Sequence, residues 1–270
     1  MSHNAVPMRY QRPAFSRHIL GMRVDCSSYE DAVAQVLNAA ETRTPFWLCP
    51  ASVQTVVEAH RAPSFRDVMD TANLVTTDGM PLVWALRLMG LKNASRVYGP
   101  TLTERILEAV AVSGVPVGFY GSSQKSLDRL QARLRERWPR LNIAYAFSPP
   151  YRPLTPEEDS EVTEKIQASG ARILFVGTGC PRQEFFAWNH YRVLNIPILA
   201  VGAAFDFLAG VKPQAPAWMQ SIGLEWFFRV LCEPRRLWRR ALVMNPLFVL
   251  LFVAQMTGLR RFDPLRANQR

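Results

Sequence analysis

Ile173-Leu-Phe-Val-Gly-Thr-Gly-Cys-Pro-Arg-Gln-Glu184 is the stretch whose reading decides the fold. Its apolar run, Ile173 to Val176, has the length and content of a buried strand. Gly177-Thr178-Gly179 stops that strand, and Pro181-Arg182-Gln183-Glu184 opens a helix expected to run through Tyr191. Pro181 suits a first helical position, where its missing N–H removes no hydrogen bond. Strand, glycine turn and helix start together place backbone N–H groups where an anion can sit. Gln183 and Glu184 are expected to project from the first turn toward whatever fills the crevice. A Gly-x-Gly turn can also do no more than join strand to helix. The dinucleotide pattern Gly-x-Gly-x-x-Gly is broken, because Arg182 holds the place of its third glycine.

Working outward, the same unit recurs. Phe46–Cys49 reads as a buried strand ending at Pro50-Ala51-Ser52, and Asn73–Thr76 as one ending at Thr77-Asp78-Gly79. Val115–Tyr120 ends at Gly121-Ser122-Ser123, and Ile196–Val201 ends at Gly202-Ala203-Ala204-Phe205-Asp206. Helical periodicity follows the first three, as in Lys125–Trp138 and Leu82–Met89, and His18–Val24 reads as a short edge strand. Strands alternating with helices at this spacing predict an α/β fold with a doubly wound, mostly parallel sheet. Such sheets bind ligands outside the carboxyl ends of their strands, where these loops fall. Asp78 therefore sits at a ligand edge, although an aspartate there also serves as a helix N-cap. Ser122 or Ser123 can cap a helix or meet a phosphate, and Asp206 can bond sugar hydroxyls or close a turn.

Composition narrows the classes. The chain has 270 residues, 32 Lys+Arg against 22 Asp+Glu, and a net charge of +10. From Lys212 onward there are ten basic and three acidic residues, nine of the ten being arginine. Four scattered cysteines with no Cys-x-x-Cys pair argue against a zinc site or a disulfide framework. They fit reduced thiols in a cytosolic protein. No apolar run near the start marks a secretory signal. Three segments are expected: a loose arm over 1–17, an α/β domain over 18–211, and a helical appendage over 212–270. In the appendage Trp226, Phe227, Trp238, Phe248 and Phe252 interleave with Arg229, Arg235, Arg236, Arg239 and Arg240. That mixture suits a helix lying in a membrane interface more than an ordinary helix packed on the core. The apolar run Pro246–Ala254 is too short to span a bilayer. Nucleic acid fits less well, because the run after Arg240 is too apolar for a wet groove and no nucleic-acid motif is present.

Taken together, Thr77-Asp78-Gly79-Met80-Pro81, Arg96-Val97-Tyr98-Gly99, Gly177–Glu184, Val201–Asp206, Gly223–Arg229 and Glu233–Arg239 resemble the WecG/TagA/CpsF family of bacterial glycosyltransferases. The resemblance runs from about Gly21 to Phe252. It implies an inverting, metal-independent transferase, without cofactor, that uses a nucleotide-diphosphate sugar, UDP-linked by expectation. The implied acceptor is a sugar on a polyprenyl-diphosphate lipid at the cytoplasmic face of the inner membrane, in surface polysaccharide assembly. The base falls on Asp78. The donor pocket falls on Ser52, Gly121, Ser122, Gly177, Gly179, Gln183, Gly202 and Asp206. Thr77, Arg96, Arg229, Arg235, Arg236 and Arg239 fall to the acceptor and its diphosphate. Pro50-Ala51-Ser52 and Thr101 depart from the family's usual residues, leaving a hexose, a uronic acid or N-acetylmannosamine open as donor sugar. Self-association also stays open. The rivals are a non-catalytic nucleotide- or nucleic-acid-binding module and a dinucleotide oxidoreductase, the second disfavoured by the missing third glycine.

Overall fold

A computed structural model describes residues 15–262. β1 (Ser16–Ile19) and β2 (Met22–Asp25) form an antiparallel hairpin, and α1 (Tyr29–Thr42) follows with Ser28 as its N-cap. Next come β3 (Phe46–Ala51), α2 (Val53–Arg61), α3 (Pro63–Thr71), β4 (Leu74–Thr77) and α4 (Met80–Leu88). After α5 (Gly99–Ser113) the chain adds β5 (Val117–Gly121), α6 (Gln124–Arg137), β6 (Ile143–Phe147) and α7 (Pro156–Ala168). β7 (Ile173–Gly177), α8 (Arg182–Leu194) and β8 (Pro197–Ala200) complete the alternation. The rest is helical: α9 (Ala204–Leu208), α10 (Ala217–Ser221), α11 (Glu225–Cys232), α12 (Pro234–Arg239), a π-helical turn (Arg240–Met244) and α13 (Asn245–Met256).

Six strands pair in the order β4-β3-β8-β7-β5-β6, every neighbouring pair parallel. Both faces are covered, which is why the strands read as continuous apolar runs. Trp47, Cys49, Val75, Leu174, Val176 and Ile198 point into one core beneath α2, α3, α8 and the hairpin. Phe46, Leu48, Leu74, Ile173, Phe175 and Leu199 point into the other beneath α1, α5 and α6. This is the expected doubly wound α/β fold with a helical C-terminal region.

Three expectations change. The stretch His18–Val24 is a hairpin rather than one strand. Leu20 (φ +51°) and Gly21 (φ +88°) form its two-residue turn, and both have the positive φ that such tight hairpin turns use. The run Ile19-Leu20-Gly21-Met22 is apolar throughout, so its pattern hides the turn. Ser16 and Arg17 already belong to β1, while residues 1–14 of the expected arm lie outside the described residues. Pro181 precedes α8 as its N-cap, after a cis peptide bond from Cys180, rather than opening the helix.

The C-terminal helices are fastened to the domain. Phe248, Leu251 and Phe252 of α13 enter the first core. Gln255 accepts the Leu20 N–H at 2.9 Å and donates to His18 O at 2.7 Å, tying α13 to the hairpin. Among the described residues no helix is long and apolar enough to cross a membrane.

Candidate active site

Because the sheet is parallel, every strand-end loop lies along one edge, and strand order fixes the sequence of groups on it. Asp78 follows β4, Ser52 β3, Gly202 β8, Gly177 β7 and Gly121 β5. Four strand spacings separate β4 from β5, about 19 Å at ~4.8 Å each. Asp78 and Ser122 thus stand well apart along the carboxyl edge of the sheet instead of converging on one atom.

At the β4 end, Asp78 Oδ1 accepts the Gly99 N–H at 2.7 Å. Gly99 begins α5, so the carboxylate caps that helix from another loop and does not cap α4. A Cβ on Gly99 would meet Asp78 Oδ1 at 3.2 Å, so the absence of a side chain permits the approach. Oδ2 has no hydrogen-bond partner among the described residues. Burial pushes the Asp78 pKa up to about 6, and the charge of Glu225 adds to the rise. Arg96, the Gly99 N–H and Arg229 pull the other way. An aspartate with one fixed oxygen, one free oxygen and a pKa near neutrality is arranged to accept a proton.

Arg96 supports this group from behind. Its Nε donates to Asp78 O, its Nη1 to Gln220 at 3.3 Å, and its Nη2 pairs with Glu225 of α11. Its guanidinium lies 4.1 Å over the Tyr98 ring. The Tyr98 hydroxyl donates to the other Glu225 oxygen at 2.8 Å. Thr77 is buried and donates to Ser95 O at 2.6 Å, away from the crevice. Ser52 is the N-cap residue of α2, and its N–H donates to Thr55 Oγ1 at 3.1 Å.

Mid-crevice, Gln183 and Glu184 turn inward rather than outward. They share the buried face of α8 with Ala187, Tyr191 and Leu194. Gln183 accepts the Gly179 N–H at 3.2 Å and donates to Ala200 O at 3.0 Å, pinning two strand-end loops together. It also donates to Glu184 at 3.0 Å, and the Cys49 thiol lies 3.6 Å from the same oxygen. Burial raises the Glu184 pKa to about 7. None of the four cysteines is in a disulfide.

At the β5 end the glycines have packing reasons. Gly121 pairs in register with Gly177, and a Cβ on Gly121 would lie 2.6 Å from the Gly177 carbonyl carbon. Ser123, not Ser122, caps α6. Ser122 donates to Asp206 Oδ1 at 3.1 Å, and Lys212 pairs with Asp206 Oδ2 at 2.7 Å. Lys212 also reaches Glu233 at 3.2 Å.

The appendage therefore grips both ends of the crevice. Glu225 holds the Asp78 end, while Glu233, eight residues and about 12 Å of helix later, meets the Asp206 end. Between them Arg229 is half-buried and stacks on Phe207 at 5.6 Å. Arg235 is exposed, and the side chains of Arg236 and Arg239 lie outside the described residues. Among the described residues no cluster of three His, Cys, Asp or Glu side chains is placed to hold a metal.

A profile of the glycosyl transferase WecG/TagA/CpsF family matches residues 17–262. The chain belongs to this family. A Bacillus spizizenii protein, N-acetylglucosaminyldiphosphoundecaprenol N-acetyl-beta-D-mannosaminyltransferase, is 31% identical over 198 residues, 73% of this chain and 74% of its own. The matched span takes in every strand from Arg17 of β1 onward and the loops along the carboxyl edge of the sheet.

Sequence reasoning passed over Tyr98, Glu225, Lys212 and Glu233 as site residues. Tyr98 and Glu225 lie inside the motifs that carry the family resemblance, which was the available signal. Nothing in their spacing says that they meet.

Proposed function

We propose that this glycosyltransferase moves a sugar from a UDP-linked donor to a sugar on a polyprenyl-diphosphate lipid, inverting the anomeric centre without a metal. The observation that carries the reading is Asp78: one oxygen fixed by Gly99, the other free, its pKa pushed up to about 6. In the proposed step Oδ2 takes the proton of an acceptor hydroxyl as that oxygen bonds to the anomeric carbon. The carbon's bond to the donor phosphate breaks, and the nucleoside diphosphate leaves with the electron pair. Arg229 and the N-terminal ends of α6 and α8 are the groups we assign to its charge.

The Bacillus relative's name supports a lipid-diphosphate acceptor bearing N-acetylglucosamine. Trp218, Trp226, Phe227, Leu231 and Trp238 are exposed on the appendage, as are Leu242, Val249 and Leu250. A patch of this kind, next to arginines, fits a peripheral site on the cytoplasmic face of the inner membrane.

The test is transfer from a panel of UDP- and GDP-sugars to N-acetylglucosaminyl-diphosphate-polyprenol, with and without EDTA. One UDP-sugar is expected to give product at a rate EDTA leaves unchanged. Absence of product from every donor overturns the reading, and loss of product with EDTA overturns its metal-independent part.

A further inference from the structure

We propose that Glu225 is a positioning residue for the reaction, the contact through which the C-terminal helices set the geometry of the Asp78 base. This rests on the proposed role of Asp78 as the base. The turn Arg96–Gly99 grips Asp78 twice: Arg96 Nε holds its backbone carbonyl, and the Gly99 N–H holds Oδ1 at 2.7 Å. Glu225 grips the same turn twice from α11, pairing with Arg96 through one oxygen and with the Tyr98 hydroxyl at 2.8 Å through the other. The Glu225 and Arg96 side chains are 12% and 15% exposed, so water screens this pair poorly.

The grip does not depend on Glu225 alone. A Cβ on Gly223 would meet the Trp84 ring at 2.6 Å, so the appendage is also seated closely on α4 just before α11. Movement of α11 therefore pulls on Arg96 and Tyr98, and through them on Asp78. The charged and titratable groups acting on Asp78 are Arg96 from the turn and Glu225 and Arg229 from α11. Tyr98 and the Cys49 thiol of β3 complete the set. Glu225 is the acid among them that stands on the appendage.

The experiment compares wild type, Glu225→Gln and Glu225→Asp by amide hydrogen exchange and by the pH dependence of kcat. In Glu225→Gln we expect faster exchange in the peptides containing Asp78 and Gly99, and a kcat loss on the order of tenfold to a hundredfold with the donor KM kept. The acid limb of its pH profile moves to lower pH, because a negative charge beside Asp78 is gone. Glu225→Asp keeps the charge but shortens the arm, so its limb stays in place while kcat falls. Unchanged exchange at Asp78 and Gly99, or an unmoved limb in Glu225→Gln, overturns the proposal. If the wild type transfers nothing yet exchange still rises in Glu225→Gln, the positioning contact stands and the assigned reaction fails.

Discussion

Asp78 Oδ1 accepts the backbone N–H of Gly99 at 2.7 Å, joining the loop after β4 to the first residue of α5. One bond thus gives α5 its cap and holds one oxygen of the carboxylate proposed as the base. The relationship makes the site sensitive to pH, to the 96–99 turn and to the helices that hold that turn.

The pH dependence follows from the sign of the Asp78 shift. A base works deprotonated, so kcat/KM, which follows the free enzyme, is expected to rise with pH through about 6 and then level off. Arg96→Gln removes the largest influence lowering that pKa, so its limb should move to higher pH. An Arg96→Gln limb at or below the wild-type position would contradict this assignment.

Glu184 is predicted to govern stability rather than turnover. Its folded pKa is raised from 4.5 to about 7 by burial. The corresponding stability is present below pH ~4.5 and is lost as pH rises through ~7. Glu184→Gln mimics the protonated form and should flatten that loss. Relative to wild type it should gain on the order of 2–3 kcal/mol at pH 8. Chemical denaturation at pH 5 and pH 8 measures the difference.

Gly121→Ala is predicted to damage the fold at the β5 end. Its Cβ would lie within 3 Å of Gly177 backbone atoms, and φ at Gly121 is +128°. Overpacking and strain together should cost roughly 2–4 kcal/mol. A fall in Tm reads it out, and an unchanged Tm would contradict the register of β5 against β7.

The membrane face is best tested by surface substitution. Removing residues 212–270 would also strip Phe248, Leu251 and Phe252 from the core and Gln255 from the hairpin. Trp226 and Leu231 are 41% and 63% exposed, so the double variant Trp226→Ser, Leu231→Ser leaves the core alone. It should keep the wild-type Tm and lose most of its pelleting with anionic liposomes. Full pelleting would remove these residues from the interface.

Much of the fold was legible in the sequence for a physical reason. Strands covered on both faces are apolar throughout, and Ile173–Val176 announces itself against the polar helices on either side. The strand ends were legible too, and the structure places Asp78, Gly177 and Gly202 along the carboxyl edge of the sheet. Sequence could not show which polar atoms are already engaged. Gln183 looked free to reach a ligand, yet the period of Ala187, Tyr191 and Leu194, followed back along α8, places it inside. Arg96 looked like a phosphate ligand, but its carboxylate partner lies 129 residues away, a pairing no local pattern encodes. The resemblance put the glycines at 121 and 177 in the donor pocket, and packing also requires them: a Cβ on Gly121 would strike the Gly177 backbone, and one on Gly177 the Phe205 ring.

The most direct test of Asp78 as the base is single-turnover transfer by Asp78→Asn, with donor affinity taken in parallel by calorimetry. The expected rate is lower by about 10²–10⁴-fold, with donor Kd and Tm close to wild type. A variant that keeps more than a few per cent of the rate would contradict this role.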